Sequence, residues 1–207
     1  YPVISGNVSF YNETNGEGIY PTPAIGGVGL IKDLSNTMTI SLKKEGSYIC
    51  VIGISNNHLG NSQYLSIIKN KEIGSTPSID LEEELKNGKF ILNFIEQNKF
   101  EAVHDIGDGG LLVALAEMSI YGGKGVNLDI NKSSLIEYLF GEDQSRYLVE
   151  ISKDNFEEFM RKAEKNNVSV EKIGITQADQ FEIKNIGKIK VDDLIQAYES
   201  WFKKFTN

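Results

Sequence analysis

The sequence has 207 residues, of which 40% are hydrophobic and 24% are charged, and its formal net charge is −8. This composition is ordinary for a folded globular chain and excludes collagen, coiled coil and disorder as descriptions of the whole chain. Net repulsion makes nucleic acid an unfavourable partner, and no apolar run approaches the ~20 residues that a membrane-spanning helix needs. The single cysteine, Cys50, cannot form an intrachain disulfide, so we expect a reducing compartment, the cytoplasm.

The N-terminal residues predict two strands joined by a loop. Residues 2–11 alternate apolar and polar side chains for much of their length, and residues 24–32 predict a glycine-rich strand. Between them, residues 12–23 contain Asn, Gly and two prolines and indicate a loop. The chain starts at Tyr1 without a signal peptide, and a strand so early would have an unpaired edge. We therefore expect this chain to be part of a longer protein.

The rest of the chain alternates strands and helices, which predicts an α+β domain. A change from glycine-rich strand to polar loop, around Lys32 to Thr37, indicates a domain boundary there. Strands are expected at residues 47–54, which read as a buried strand, and at 100–104, 125–130, 147–151, 168–174, 180–184 and 187–191. Helices are expected at residues 80–97, 110–121, 134–140, 154–165 and 192–205, the last of them burying Leu194, Tyr198, Trp201, Phe202 and Phe205.

Polar residues and a glycine interrupt the first predicted strand within Ser5–Thr14. Side chains of a strand alternate between its faces, so Ser5, Asn7 and Ser9 would share one face. Gly6 allows a ligand to approach the backbone closely, and the amide oxygen of Asn7 suits Mg²⁺ beside phosphates. A solvent-facing strand with a bulge at Gly6 explains the same residues, and from the residues alone it is the favoured interpretation.

A glycine-rich turn, His104–Leu111 (HDIGDGGL), joins a strand to a buried helix. Its glycines, among them Gly109 and Gly110, would free backbone N–H groups to face an anion at the helix N-terminus. The residues alone leave a phosphate cradle and a structural turn about equal. A lone histidine such as His104 is more often a hydrogen-bonded structural residue than a catalyst. In this chain we expect Asp105 and Asp108 to be mainly structural, holding the turn and capping the helix.

Two further side-chain interactions are expected. Asp80 can cap the helix that follows it, with Glu83 completing a capping box. Glu142 and Arg146 are four residues apart and would form an ion pair if the segment is helical. No zinc-ligand spacing, Walker sequence, nucleophile elbow or HExxH motif is present.

These segments together resemble one family. Ser5–Thr14, followed by Tyr20–Gly26, is similar to the SGNVSLYNET…PTP signature of the synthetase subunit of phosphoribosylformylglycinamidine synthase. His104–Leu111 resembles HDISDGGL, a motif of the wider aminoimidazole-ribonucleotide-synthetase-like superfamily. Leu59–Leu65 resembles LGGSEYL and Glu142–Arg146 resembles GExxGR of the same family. The resemblance therefore extends, in order, along essentially the whole chain.

The resemblance implies a fold and a reaction. Residues 35–207 would form the superfamily's C-terminal domain, a mixed sheet with packed helices, and residues 1–34 would be closing strands of an upstream ATP-binding domain. In the family's reaction, ATP phosphorylates the amide oxygen of formylglycinamide ribonucleotide, and glutamine-derived ammonia then displaces the phosphate. Mg²⁺ is the implied cofactor and ATP a substrate. A glutaminase and a small accessory subunit are the implied partners where these are separate chains.

Carried over by position, the resemblance makes Gly6 an ATP contact, Asn7 a Mg²⁺ ligand and Ser9 a contact of the ribonucleotide substrate. The family's catalytic histidine, its nucleotide-gripping lysine and most of its metal carboxylates lie upstream. No catalytic residue is therefore expected in this chain, and the chain alone is expected to be inactive.

Three residues depart from the family's motifs. Gly107 replaces the serine of HDISDGGL, Asn61 replaces a glycine of LGGSEYL, and Ser145 replaces the glycine of GExxGR. Two alternative functions stay open beside the ligase. One is another ATP-dependent kinase or synthetase of the superfamily, which would lack the SGNVSFYNET strand. The other is a non-catalytic dimerisation or scaffold domain.

Overall fold

The computed structural model describes residues 2–31 and 33–206, without the side chain of Lys203. The chain divides into two compact units, Tyr1–Lys32 and Asp33–Asn207, which we call the N-terminal unit and the C-terminal unit. Within the described residues, no helix combines the length and the apolar character needed to cross a membrane.

The N-terminal unit contains one short hairpin. Its strands are β1 (Glu13–Thr14) and β2 (Glu17–Gly18), which pair antiparallel. The two residues between them, Asn15 and Gly16, have φ of 54° and 82°, as a two-residue hairpin turn requires. The loop expected at residues 12–23 therefore includes a hairpin, and the Asn-Gly pair was the signal that could have predicted it.

The strands expected at residues 2–11 and 24–32 are wrong for this structure. Within the N-terminal unit, residues 2–12 and 19–31 form no strand, and all of them are exposed. The last residue of the second predicted strand, Lys32, lies outside the described residues. Alternating side chains favour a strand only where another strand pairs with its backbone, and these segments have no such neighbour among the described residues of their unit.

The C-terminal unit is built on a seven-stranded sheet with the strand order β4-β6-β3-β7-β5-β8-β9. Neighbours pair antiparallel except β5 and β8, which are parallel, so the sheet is mixed. The strands are β3 (Tyr48–Ile52), β4 (Phe100–Asp105), β5 (Gly125–Leu128), β6 (Tyr147–Ile151), β7 (Val170–Gln177), β8 (Gln180–Ile183) and β9 (Gly187–Lys190). The helices are α1 (Leu81–Glu96), α2 (Gly110–Gly122), α3 (Leu135–Phe140), α4 (Lys153–Lys165) and α5 (Val191–Thr206). A 3-10 turn at Leu34–Asn36 and a π-helical turn at Tyr64–Ile68 complete the elements.

Strand β3 is an interior strand, third in the order of this sheet, and is buried on both faces. Ile49 and Val51 pack with α2 and α3, whereas Cys50 and Ile52 pack with α1 and α4. Each of these four side chains is 3% exposed or less. The predicted buried strand is confirmed, because helices cover both faces of the sheet and leave β3 no polar face.

A buried carboxylate ties the segment before β3 to the sheet. Glu150 on β6 is fully buried and accepts hydrogen bonds from the backbone N–H groups of Lys43 and Lys44, at 2.7 and 2.9 Å. Burial raises the pKa of the Glu150 carboxyl, and the two backbone donors oppose that rise. Because both donors come from one segment, the charge fixes its path across the sheet.

The cap of α1 forms only in part as expected. The Asp80 carboxylate accepts hydrogen bonds from the backbone N–H groups of Glu82 and Glu83, both at 3.0 Å. The Glu83 side chain does not return to the N-cap; it binds Lys86 one turn along the helix. The helix therefore has a capping aspartate but no reciprocal capping box.

Helix α5 exposes residues that the sequence places in the core. Tyr198, Trp201, Phe202 and Phe205 are each at least 43% exposed, and only Leu194 is half-buried. Tyr198 meets Tyr121 near the end of α2, through a hydroxyl–hydroxyl hydrogen bond of 3.1 Å. Helix α2 ends at Gly122, one residue after Tyr121, so the last turns of α5 extend past the end of α2.

The single thiol is expected to be inert in the folded chain. Cys50 is fully buried on β3, and this burial raises its pKa to about 12. We expect Ellman's reagent at pH 8 to label the native 207-residue chain only on the timescale of unfolding. The same chain in urea should react at once and with one equivalent. Prompt stoichiometric labelling without denaturant would contradict this packing.

Candidate functional site

The three residues that the family resemblance selects lie in the N-terminal unit. Gly6, Asn7 and Ser9 are all exposed and stand outside regular secondary structure. An added Cβ at Gly6 would have no heavy atom within 4 Å, and its φ is not in the left-handed region. Nothing within the described structure therefore requires a glycine there.

The second group of predicted residues lies in the C-terminal unit, where β4 ends. His104 stands between two carboxylates: its Nδ1 is 3.1 Å from Asp105 Oδ1 and its Nε2 is 3.0 Å from Glu117 Oε2. Both ring nitrogens are thus engaged within the chain. Across the described residues, no group of three or more His, Cys, Asp or Glu is arranged to hold a metal ion.

The turn after β4 requires two of its glycines. Gly109 and Gly110 have φ of 82° and 74°, in the left-handed region. A Cβ on Gly110 would lie 2.7 Å from the carbonyl oxygen of Gly141, so the start of α2 also touches another loop through bare backbone. Gly107 differs, because its φ is not positive and the nearest atom to an added Cβ is 4.0 Å away. The serine of the family motif would fit at Gly107.

Glu142 joins two of the loops around this turn. Its Oε1 accepts hydrogen bonds from the backbone N–H of Gly109 and from that of Gln63, both at 2.8 Å. Its own N–H donates to the His58 carbonyl at 3.3 Å. Hydrogen bonds from backbone N–H groups to a carboxylate are charge-assisted, and one of these donors lies at a helix N-terminus. The three family-like segments of the C-terminal unit therefore meet at this side chain.

The expectation that Asp108 caps α2 is wrong. The N-cap is Gly109, which has no side chain to donate or accept. Asp108 is exposed and makes no hydrogen bond within the described part of the chain. Glu142 supplies the carboxylate instead, from a loop that is distant in sequence. The positive end of the helix already faces an anion that belongs to the chain.

Arg146 is buried rather than paired at the surface. It is 1% exposed, its Nη2 donates to the Gly141 carbonyl, and its Nε donates to the Asp143 carbonyl at 3.3 Å. Burial lowers the pKa of its guanidinium, and the nearby Asp143 charge opposes this. The expected ion pair with Glu142 is wrong, because residues 141–146 form a loop in which four-residue spacing brings no side chains together.

Asp143 organises the facing loop. Its Oδ2 accepts hydrogen bonds from the backbone N–H of Asn56 at 3.0 Å and from the Ser55 hydroxyl at 3.2 Å. Neither Glu142 nor Asp143 has a sequence pattern that indicates this role. The GExxGR resemblance marked the segment, but only the fold shows which distant N–H groups the two carboxylates accept.

Two departures from the family motifs fall at left-handed backbone positions. Asn61 and Ser145, which replace glycines, have φ of 54° and 61°. Asparagine tolerates this region better than other residues with a Cβ. In the described residues, Ser145 is the only one besides Asn and Gly with positive φ, and its buried hydroxyl has no hydrogen-bond partner.

Removing the Glu142 carboxylate should destabilise the fold, whereas removing that of Asp108 should not. Glu142→Ala leaves two backbone N–H groups without their acceptor, so we expect a loss of about 2–3 kcal/mol. Asp108→Ala removes no hydrogen bond and should stay within about 0.5 kcal/mol of the parent chain. Urea unfolding of the three 207-residue chains measures both differences. Equal losses for the two variants would mean that Glu142 does not hold the loops.

Restoring the family's glycine at position 145 should stabilise the chain. Ser145→Gly removes the left-handed strain of a residue with a Cβ and an unpaired buried hydroxyl, and we expect a gain of about 1 kcal/mol. Asn61→Gly is the matched control and should change stability by less than about 0.5 kcal/mol, since asparagine already tolerates this conformation. Thermal unfolding compares the two. A destabilised Ser145→Gly chain would show that the serine is not strained.

Comparison with known proteins gives this chain a family. A sequence profile of AIR synthase related proteins, C-terminal domain, matches residues 44–184. The phosphoribosylformylglycinamidine synthase subunit PurL of Bartonella bacilliformis is 44% identical over 206 residues, which are 99% of this chain and 28% of the relative. PurL of Pelagibacter ubique is 43% identical over 209 residues, with the same two coverages. The chain thus spans 28% of the length of these curated relatives.

Solved structures share the fold. Thermotoga maritima PurL complexed with FGAR has a TM-score of 0.64 at 18% identity, over 78% of this chain and 30% of that one. Thiamine-monophosphate kinase of Stenotrophomonas maltophilia has a TM-score of 0.52 at 16% identity, over 71% and 52% of the two chains. The expected fold, a mixed sheet with packed helices, is confirmed. By its profile match over residues 44–184, the chain belongs to the AIR synthase related proteins, whose C-terminal domain it carries.

Proposed function

We propose that this chain is the C-terminal part of an ATP-dependent ligase that makes formylglycinamidine ribonucleotide in purine biosynthesis. The observation that carries the proposal is 44% identity to a PurL subunit along 99% of the chain, together with the SGNVSFYNET segment. The amide oxygen of formylglycinamide ribonucleotide attacks the γ-phosphorus of ATP, and ADP leaves. Ammonia from glutamine then attacks the imidate carbon, and phosphate leaves.

The two units would have different roles in that enzyme. We propose that residues 1–34 close the upstream ATP-binding domain and that residues 35–207 form the C-terminal α+β domain. The N-terminal unit exposes large apolar side chains along its whole length, including Val3, Val8 and Phe10, each at least 86% exposed. Such residues favour a strand that completes another sheet rather than an independent domain.

We propose Gly6 as an ATP contact, Asn7 as a Mg²⁺ ligand and Ser9 as a contact of the ribonucleotide. The fold does not require a glycine at position 6. Close approach of a ligand to the backbone would explain why a glycine stands there, which supports the ATP contact. Asn7 offers one neutral amide oxygen, which fits Mg²⁺ as one ligand of about six. Phosphates, water and carboxylates from outside this chain would supply the remaining ligands. When bound, the ion neutralises charge on the transferred phosphoryl group.

We propose a structural role for the turn that contains His104, Asp105, Asp108, Gly109 and Gly110. The internal carboxylate of Glu142 on the Gly109 N–H supports it, because an external phosphate would have to displace a charge of the same sign. No catalytic residue is proposed in this chain, which by itself would be inactive. In the whole enzyme, a glutaminase and a small accessory subunit would be the partners where they are separate chains, in the cytoplasm.

Substitutions at the proposed site should act on different substrates of the longer enzyme. Asn7→Ala should reduce kcat/KM for ATP by about 10–1000-fold, the range for losing one positioned electrostatic contact. Ser9→Ala should act more on the ribonucleotide than on ATP. Steady-state kinetics in which each substrate is varied in turn separates the two effects.

The 207-residue chain alone serves as the blank and should show no ribonucleotide-dependent ATP turnover. Thermal unfolding of both variants serves as a control, since both residues are exposed and neither substitution should change stability by more than about 0.5 kcal/mol. Unchanged kinetic constants in Asn7→Ala and Ser9→Ala would leave this segment without a role in substrate or metal binding, and the site would have to be withdrawn.

A further inference from the structure

Hydrogen bonds, rather than a core, hold the N-terminal unit. Every residue of 2–31 is exposed, so none packs into an interior. The hairpin of β1 and β2 is the unit's regular element, and its Asn15-Gly16 turn has the left-handed backbone that suits two-residue hairpins. Among the described residues of this unit, Ser9 is connected to the hairpin by a side-chain hydrogen bond.

Asn12 makes those bonds on both sides. Its carbonyl oxygen accepts a hydrogen bond from the Ile19 N–H at 3.0 Å, which extends the hairpin beyond β1 and β2. Its side-chain Nδ2 donates to the Ser9 carbonyl at 2.8 Å, across a bend at Phe10. The Ser9 peptide is thereby connected to the hairpin by the amide of one side chain.

This bond also accounts for the bend at Phe10, near the end of the predicted first strand. Asparagine side chains that bind a nearby carbonyl offer the backbone an alternative to a sheet ladder. The bond spans three residues, so it closes a local turn and directs the chain away from an extended path at Phe10. A sequence pattern of alternating side chains does not contain this information.

We infer that Asn12 is a positioning residue that presents Ser9 to the ribonucleotide substrate; this inference rests on the proposed function. A donor at position 12 restrains the Ser9 carbonyl, and with it the backbone from which the Ser9 side chain projects. Without the donor, Ser9 would sample several orientations, and binding would have to order it. The cost would fall on substrate binding rather than on the chemical step, since Asn12 touches neither the nucleotide nor the reacting atoms in this assignment.

The test uses Asn12→Asp and Asn12→Ala in the longer enzyme. Aspartate keeps the size of the side chain but cannot donate when ionised, and alanine removes the donor without adding charge. Both should raise KM for formylglycinamide ribonucleotide by about 10-fold, while kcat and KM for ATP stay within about 3-fold. If both variants leave KM for the ribonucleotide unchanged, or lower kcat and both kcat/KM values equally, Asn12 does not position Ser9.

Asn15→Gly is the matched control. Asn15 is an exposed asparagine of the same hairpin, and glycine keeps its left-handed turn, so all kinetic constants should stay unchanged. Ser9→Ala separates this inference from the proposal on which it rests. Silent Ser9→Ala would overturn the substrate contact itself, whereas an effect of Ser9→Ala beside silent Asn12 variants would overturn the positioning role alone.

Discussion

In the C-terminal unit, the loops around the N-terminus of α2 depend on the Glu142 carboxylate. An α-helix leaves its first N–H groups without intrahelical partners and carries partial positive charge at that end. At α2 the N-cap is a glycine, which cannot cap, so the Gly109 N–H takes its acceptor from a distant loop. The same carboxylate oxygen holds the Gln63 N–H, which fixes the loop before the π-helical turn. One side chain thus provides the acceptor for the N–H group at the start of α2 and holds two loops together.

Close backbone contact makes this arrangement specific. Gly110 has no room for a Cβ beside the backbone of Phe140 and Gly141, so α2 and the Glu142 loop approach more closely than side chains would permit. The buried Arg146 guanidinium donates to the Gly141 carbonyl, the same oxygen that an added Cβ on Gly110 would meet. In a phosphate-binding turn, glycines leave room for a ligand. At Gly110 that room is taken by the backbone of Phe140 and Gly141. The same residue pattern therefore suits close backbone packing as well as phosphate binding, which explains why the pattern alone left the two roles equal.

Most of the C-terminal unit could be predicted from the sequence, because its patterns are local. Continuous apolar runs such as 47–54 and helical periodicity such as 154–165 are confirmed within a few residues. The failures share a different cause. The sequence places Asp108 next to the start of α2, whereas only tertiary structure brings the distant Glu142 to the helix end. The exposed aromatic side chains of α5 have the same explanation, since periodicity shows that a helix has an apolar face but not what covers it.

The N-terminal unit shows what sequence patterns can and cannot separate. Its residues 2–31 contribute no buried side chain, so side-chain burial places no demand on Gly6, Asn7 or Ser9. A residue type that burial does not require must be explained by local backbone geometry, by a ligand or by another part of a larger assembly. Backbone geometry accounts for Asn15 and Gly16, which have positive φ, and a hydrogen bond accounts for Asn12. Local backbone geometry does not account for Gly6, because its φ is not in the left-handed region and an added Cβ would meet no atom within 4 Å. Gly6 is therefore a residue that neither burial nor local backbone geometry explains in this unit.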